Sequence, residues 1–163
     1  PNTSSAASDV YKRQIKSKNK IRLVKGSHII TKKLYKEDVA FTFQNTDKRI
    51  IFVIPYKKHF SLIGTTEVEV KSPENNGISN QEIQYLIKSV NNYLKKQISK
   101  KDIVDTYSGI RPLIEDFKEA SKVTRDYVFD LHIVKKLPLL NIYGGKLTTY
   151  RKLSEKVLSL IHI

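Results

Sequence analysis

The feature that most constrains the fold of this chain is a succession of five short segments within residues 27–70 that are rich in β-branched and aromatic residues. The segments are Ser27–Thr31, Val39–Gln44, Arg49–Pro55, Phe60–Thr65 and Glu67–Val70. Such residues favour strands. Asn45–Asp47 separates two of the segments, and Asn and Asp favour turns because their side chains bond back to the nearby backbone. The pattern predicts an antiparallel meander.

The periodicity changes after residue 78. Apolar residues then recur at helical spacing, at Ile83, Leu86, Ile87, Val90, Tyr93 and Leu94. Ser79 and Glu82 have the spacing of a capping box, and Ile78 and Ile83 have that of a hydrophobic staple. These signals predict an α-helix over residues 80–96.

The last third of the chain predicts three strands and a second helix. Residues 103–107 are expected to form a strand that leads into a loop carrying Arg111. Residues 127–133 alternate between apolar and polar, which predicts a half-buried strand. Residues 138–143 are more continuously apolar, which predicts a more buried strand. A helix begins after Gly145 with one apolar face, formed by Leu147, Tyr150, Leu153 and Val157. The predicted fold class is α+β: a mostly antiparallel sheet with one long helix, plus a strand–Gly–Gly–helix unit.

The strand–Gly144–Gly145–helix unit is a candidate anion site. Two glycines let the backbone approach a ligand, and the helix behind them presents unpaired amides and a partial positive charge. The alternative is a tight corner between strand and helix, with Lys146 in solvent.

Arg111, Arg125 and His28 are the other candidate site residues. Two guanidinium groups from separate segments can clamp one phosphate, although each arginine could instead form an ordinary salt bridge, for example to Glu115 or Asp126. His28 could take a proton from a hydroxyl near neutral pH, or it could be a hydrogen-bonded structural residue.

The segment 64–67, Gly-Thr-Thr-Glu, is a further candidate. It is either a hydroxyl-lined corner near a ligand or a strand turn or β-bulge.

Composition limits the possible functions. The chain has 163 residues, a net charge of +14 and no cysteine, which excludes disulfides and thiolate metal sites. The sequence shows no metal-ligand spacing and no apolar run near the ~20 residues that cross a bilayer. The charge has three explanations: an A/T-rich genome that encodes many Lys, Ile and Asn residues, an anionic lipid surface, or nucleic acid.

Both ends resemble translated sequencing adapter. Residues 4–14 match a transposon-type adapter read in frame, and residues 158–163 match the reverse complement of its end. We therefore expect residues 1–14 and 158–163 to be non-native, and residues 15–157 to be the natural part of a longer protein.

Several motifs, taken in order, resemble one enzyme family. They are Ile21–Ile29, Arg49–Tyr56, Ile63–Glu69, Ser108–Leu113 (SGIRPL), Thr124–Tyr127 (TRDY) and Gly144–Arg151 (GGKLTTYR). Together they resemble the FAD-dependent, quinone-linked glycerol-3-phosphate dehydrogenases. The resemblance spans nearly all of residues 21–157.

The resemblance implies an oxidation of sn-glycerol 3-phosphate to dihydroxyacetone phosphate, with hydride transfer to FAD and electrons passed on to quinone. It implies that Arg111 and Arg125 bind the phosphate, that His28 lies beside the reacting hydroxyl, and that Lys146 lies near the flavin ring. It also implies that the segment Gly144, Gly145, Lys146, Leu147 and Thr148 faces the flavin. The expected catalytic residues are His28, Arg111 and Lys146, with no metal.

The same resemblance implies a domain division and a location. Residues 15–137 are expected to be a substrate-binding cap domain, and residues 138–157 a strand–helix segment of the FAD-binding domain. The expected partners are sn-glycerol 3-phosphate, membrane quinone and an anionic membrane surface, with no nucleic acid. The expected location is peripheral, on the cytoplasmic side of a bacterial inner membrane. Two alternatives stay open: another FAD-dependent amine or hydroxy-acid oxidoreductase, and a non-enzymatic basic anion-binding module.

Overall fold

One antiparallel sheet and one helix make up most of the fold. The computed structural model describes residues 19–74, 77–115, 126–134 and 137–161. The strands are β1 (Ile21–Lys32), β2 (Phe41–Gln44), β3 (Ile50–Tyr56), β4 (Phe60–Gly64), β5 (Val68–Val70), β6 (Ile103–Ile114), β7 (Tyr127–Val134) and β8 (Leu137–Gly144). The helices are α1 (Asn80–Asn91) and α2 (Tyr150–Ile161), with 3₁₀ turns at Lys100–Asp102 and Leu147–Thr149. The predicted α+β class is confirmed.

The sheet has the order β2-β3-β4-β1-β5, and β6 pairs with β1. Strands β2, β3 and β4 form the predicted meander, but the meander prediction is wrong for β1, which pairs with β4, β5 and β6. Most residues from Val24 to Thr31 are buried, so apolar or small residues occupy both faces of β1. The middle of the sheet suits this strand, because strands on both sides of it satisfy its backbone hydrogen bonds and leave it no open edge.

Helix α1 packs on one face of the sheet, which we call the helix face. Its apolar residues join the strand residues in one core cluster, formed by Ile29, Ile51, Val53, Ile63, Ile83, Leu86, Val90 and Ile98. The predicted capping box is confirmed: the Ser79 hydroxyl accepts a hydrogen bond from the Glu82 amide at 3.2 Å, and the Glu82 carboxylate accepts one from the Ser79 amide at 2.9 Å. Ile78 packs against the same cluster as Ile83, as the predicted staple requires.

The helix ends at Asn91 rather than at the predicted residue 96. The Asn91 side chain accepts a hydrogen bond from the Ile98 amide and donates one to the Ile98 carbonyl, both at 2.9 Å. Side chains that bond the backbone in this way compete with continuation of a helix. The chain therefore turns back toward the core at Ile98.

Arg111 lies on a strand, so the predicted loop around it is wrong. β6 continues through Gly109, Arg111 and Pro112 because β1 offers a partner along its whole length, with Val24 opposite Arg111 and Gly26 opposite Gly109. Within the described ranges β6 forms strand hydrogen bonds with β1 alone, so it is an edge strand of the sheet. Proline is tolerated in edge strands.

Strands β7 and β8 form a separate two-stranded antiparallel sheet, and the predicted domain boundary at residues 137 and 138 falls inside this hairpin. Residues 138–143 are more buried than residues 127–133, as predicted, although not fully: Leu139 and Leu140 are half-buried and Ile142 is 43% exposed, whereas Leu131 and Ile133 are 56% and 76% exposed. A two-stranded sheet has few neighbours to cover its faces.

Helix α2 follows the hairpin through a 3₁₀ turn. Of its predicted apolar face, Leu153 and Val157 are half-buried, whereas Leu147 and Tyr150 are largely exposed. No helix within the described ranges is both long enough and apolar enough to cross a membrane.

Candidate functional site

The candidate residues His28 and Arg111 lie on the face of the sheet opposite α1, which we call the site face. Successive side chains of a strand point to opposite faces. Because Ile29 points to the core under α1, His28 points away from it. The register places Tyr107 opposite His28 and Val24 opposite Arg111, so the side chains of all four share the site face.

Arg111 lies in a slot made by a glycine and a threonine. An added Cβ at Gly26 would lie 2.6 Å from both terminal guanidinium nitrogens of Arg111 and 2.7 Å from the Thr65 hydroxyl. The Arg111 Nη2 donates a hydrogen bond to that hydroxyl at 3.2 Å. Only a residue without a side chain at position 26 leaves room for this arrangement.

Thr65 belongs to the predicted corner at residues 64–67. The chain leaves the sheet there, between β4 and β5. The Gly64–Thr65 peptide bond is cis. The segment is a strand turn, and its Thr65 hydroxyl accepts a hydrogen bond from Arg111; its place near a ligand stays a prediction.

His28 is packed between a glycine and an aromatic ring. Its ring stacks on that of Tyr107, with 4.9 Å between centroids, and an added Cβ at Gly64 would overlap the imidazole. Burial, together with the charge of Arg111, lowers the pKa of His28 from its ordinary value. His28 is therefore neutral near pH 7 and able to accept a proton. Its buried Nδ1 has no hydrogen-bond partner among the described residues.

A cavity of about 380 Å³ connects the edge strand β6 with the glycine pair. We call it the Arg111 cavity; its lining residues are Ile110, Arg111, Pro112, Leu113, Gly144, Gly145 and Lys146. Gly144 and Gly145 have φ angles of +72° and +99°, which residues with side chains rarely adopt. The cavity thus has the basic residue Arg111 on one side and the backbone of two glycines on the other, which suits an anionic or polar group.

The helix end behind the glycines is partly occupied by its own side chains. The Lys146 amide donates a hydrogen bond to the Thr149 hydroxyl at 3.3 Å, and the Thr149 amide bonds the Lys146 carbonyl at 3.0 Å. Leu147 and Thr148, next along the turn, are exposed. Amides at the start of a helix lack partners within it and can bind a ligand.

The structure brings together four of the predicted site residues, Arg111, Gly144, Gly145 and Lys146, around one cavity. His28 lies close enough to Arg111 for its pKa to be affected. Arg125 lies outside the described residues. Sequence reasoning missed the roles of Gly26 and Tyr107. No sequence signal marks these two, because their roles depend on the pairing of β1 with β6.

Comparison with known proteins identifies the family. A family model described as FAD dependent oxidoreductase matches residues 2–151. The chain belongs to this family.

Relatives with similar sequences are identical to this chain at about half of the aligned positions. It is 51% identical, over 85% of its length, to the aerobic glycerol-3-phosphate dehydrogenase of Escherichia coli. It is 46% identical, over 86% of its length, to the D-erythritol 1-phosphate dehydrogenase of Brucella abortus. The chain spans 28% of the length of each of these two relatives.

The fold is also similar to a solved structure, the glycerol-3-phosphate dehydrogenase of Bacillus halodurans complexed with FAD. The TM-score is 0.70 at 23% identity, over 95% of this chain and 29% of that one. At this identity the similarity concerns the fold. The family is FAD-dependent. Gly144 and Gly145 are exposed at the Arg111 cavity and carry no side chain, so their backbone fits the polar edge of such a cofactor.

Proposed function

We propose that this chain is the central part of an FAD-dependent dehydrogenase that oxidises sn-glycerol 3-phosphate to dihydroxyacetone phosphate. The observation that carries the proposal is the Arg111 cavity, which Arg111 lines together with Gly144, Gly145 and Lys146. The names of relatives with 46–51% identity support a phosphorylated polyol as the substrate.

Arg111 is the proposed phosphate ligand. A guanidinium forms short, charge-assisted bonds to phosphate oxygens, and the Thr65 hydroxyl and Gly26 hold it in one orientation. Arg125, which lies outside the described residues, is the proposed second phosphate ligand, from the TRDY motif.

His28 is the proposed base for the C2 hydroxyl. Its depressed pKa keeps the imidazole neutral at physiological pH, and its buried Nδ1 lacks a partner among the described residues. A neutral imidazole can take the proton of a substrate hydroxyl as it is oxidised. The stacked ring of Tyr107 restricts the orientation of the imidazole.

Gly144, Gly145, Lys146, Leu147 and Thr148 are the proposed flavin-binding residues. FAD, when bound, supplies the acceptor for the hydride from C2 of the substrate. The backbone of this segment lies open beside the Arg111 cavity, and the Lys146 side chain is exposed there. A cation and helix-start amides stabilise negative charge at the edge of a bound ring system.

The proposed electron acceptor is membrane quinone, and the proposed location is peripheral, on the cytoplasmic side of a bacterial inner membrane. The net charge of +14 favours contact with anionic lipid. Flotation of the complete polypeptide with lipid vesicles tests this location. Binding to the vesicles should require anionic lipid, and the bound fraction should fall as the salt concentration is raised. Equal binding to neutral vesicles would refute an electrostatic attachment.

The test of the activity uses the complete polypeptide that carries this chain. We expect the purified protein to contain FAD and to reduce an artificial electron acceptor when given sn-glycerol 3-phosphate. D-Erythritol 1-phosphate, free glycerol, a hydroxy acid and an amine serve as comparison substrates. A higher kcat/KM for a hydroxy acid or an amine than for either polyol phosphate would refute the proposal.

A further inference from the structure

A buried carboxylate beneath the site accepts four hydrogen bonds. Glu82, in the first turn of α1, is 5% exposed. One carboxylate oxygen accepts from the hydroxyls of Ser27 at 2.8 Å and Thr66 at 2.7 Å. The other lies 2.8 Å from the Lys25 ammonium and accepts from the Ser79 amide at 2.9 Å. We call these five residues the Glu82 network.

Helix capping alone does not account for this network. The chain contains a second box of the same form, in which the Asp102 carboxylate accepts from the Ser99 amide at 2.8 Å, and that box is exposed. In the Glu82 network, by contrast, Lys25 and Glu82 are both more than nine-tenths buried. Burial of an ion pair carries a desolvation cost, so a carboxylate at the solvent-exposed end of a helix would cap it more cheaply.

The side chains of the network lie on the helix face, and their neighbours in sequence form the site. Ser27 lies between Gly26, which seats Arg111, and His28. Thr66 follows Thr65, which accepts the hydrogen bond from Arg111. The Ser27 and Thr66 backbones also bond each other, through the Thr66 amide and the Ser27 carbonyl at 3.2 Å.

A second strand, β6, is held to the same network. The Ser108 hydroxyl donates to the Ser27 hydroxyl at 2.9 Å. Ser108 follows Tyr107, whose ring stacks on His28. Neighbouring residues in a strand share one backbone but point to opposite faces. A displacement of Ser27, Thr66 or Ser108 therefore also moves the site residue that precedes or follows it in the chain.

We infer that Glu82, held by Lys25, is a positioning residue that fixes His28 and Arg111 in the site. This inference rests on the proposed function, because it concerns the same site. It adds a role for two residues on the far side of the sheet that touch neither substrate nor cofactor.

The first experiment compares Glu82→Gln with Asp102→Asn in the complete polypeptide. Asp102→Asn removes a capping carboxylate that is unconnected to the site, and should leave kcat and KM unchanged. Glu82→Gln leaves the buried Lys25 without its counter-charge and should lower kcat/KM for sn-glycerol 3-phosphate by about 10- to 100-fold, the usual scale for small misplacements of reacting groups. Bound FAD, measured by flavin absorbance, should stay close to the level in the unaltered protein.

Thr66→Val is the second variant and keeps the test valid if Glu82→Gln fails to fold. It preserves shape and the ion pair but removes the hydroxyl that links Glu82 to residues 65–66. We expect KM for the phosphorylated substrate to rise several-fold, while Thr66→Ser, which restores the hydroxyl, returns KM toward the original value.

The two levels of failure are distinguishable. If the unaltered enzyme does not oxidise a polyol phosphate, the proposed function is wrong. The other case is an unaltered enzyme that is active. If the Thr66→Val and Glu82→Gln variants then fold and keep its kcat and KM, the network has no positioning role and this inference is overturned.

Discussion

At the scale of single residues, the guanidinium of Arg111 is held by a hydroxyl on one side and by the missing side chain of Gly26 on the other. One contact comes from the turn after β4 and the other from β1, so the orientation of Arg111 depends on residues distant in sequence. This arrangement makes two substitutions informative, one of the arginine and one of the glycine.

Replacing Arg111 by alanine in the complete polypeptide should raise KM for sn-glycerol 3-phosphate by about 10-fold or more, since bonds to charged groups contribute about 1.5–3 kcal/mol. KM for free glycerol should change far less, because glycerol has no phosphate. Steady-state kinetics with both substrates measures the difference. An equal change for both substrates would remove phosphate recognition from Arg111.

Replacing Gly26 by alanine should have a milder effect of the same kind. The new methyl group would displace the end of the Arg111 side chain, so KM for the phosphorylated substrate should rise while the sheet stays folded. Gly109→Ala is the matched control: Gly109 lies opposite Gly26 in the register, and an added Cβ there meets nothing within 4 Å. An unchanged KM in Gly26→Ala would show that Arg111 does not need its slot.

At the scale of elements, helix α1 is joined to the sheet by an apolar cluster and by the Glu82 network. Burial by itself would raise the pKa of Glu82. The hydrogen bonds from Lys25, Ser79, Thr66 and Ser27 outweigh burial and lower the pKa to about 2, from an ordinary 4.5. The Glu82 carboxylate of the folded chain is therefore ionised at every pH at which the same carboxylate is ionised in the unfolded chain.

A pH dependence follows from this shift. Because the folded pKa lies below the unfolded one, the stabilisation by Glu82 is fully present above about pH 4.5 and is lost as the pH falls toward 2. Its upper size is on the order of 3 kcal/mol, at 1.36 kcal/mol per pKa unit. The thermal unfolding midpoint of the unaltered protein should exceed that of Glu82→Gln at pH 7, and the gap should narrow toward pH 3. A difference in unfolding midpoint that does not change with pH would contradict the stabilisation of the folded chain by an ionised Glu82.

At the scale of the whole molecule, the sheet presents apolar side chains on the site face. Ile50, Phe52, Ile54 and Tyr107 are each 37–54% exposed there, on the same face as His28. The chain also spans only 28% of the relatives with similar sequence. These facts agree with a site that is completed by further polypeptide.

We therefore expect the chain by itself to bind no FAD tightly and to show no dehydrogenase activity. In the proposed function the Arg111 cavity supplies one edge of the flavin site, and no G-x-G-x-x-G motif for the nucleotide part of the cofactor occurs among the six glycines. Flavin absorbance of the purified chain measures this, with the complete polypeptide as the control. A yellow protein with one FAD per chain would contradict the expectation.

The sequence by itself determined the elements whose signals are local. The capping box of Ser79 and Glu82, the strands of residues 41–64 and the glycine pair before α2 all depend on residues within a few positions of each other. The family motifs also pointed to Arg111, Gly144, Gly145 and Lys146, which line one cavity.

Only the tertiary structure decided what depends on pairing between distant segments. It placed β1 in the centre of the sheet and extended β6 through Arg111, because the two strands satisfy each other's backbone over their full length. That register brought Gly26 under Arg111 and Tyr107 against His28. The packing of α1 on the sheet buried Lys25 against Glu82. No local pattern encodes these contacts, since a strand's own sequence specifies which faces are apolar but not which strand lies beside it.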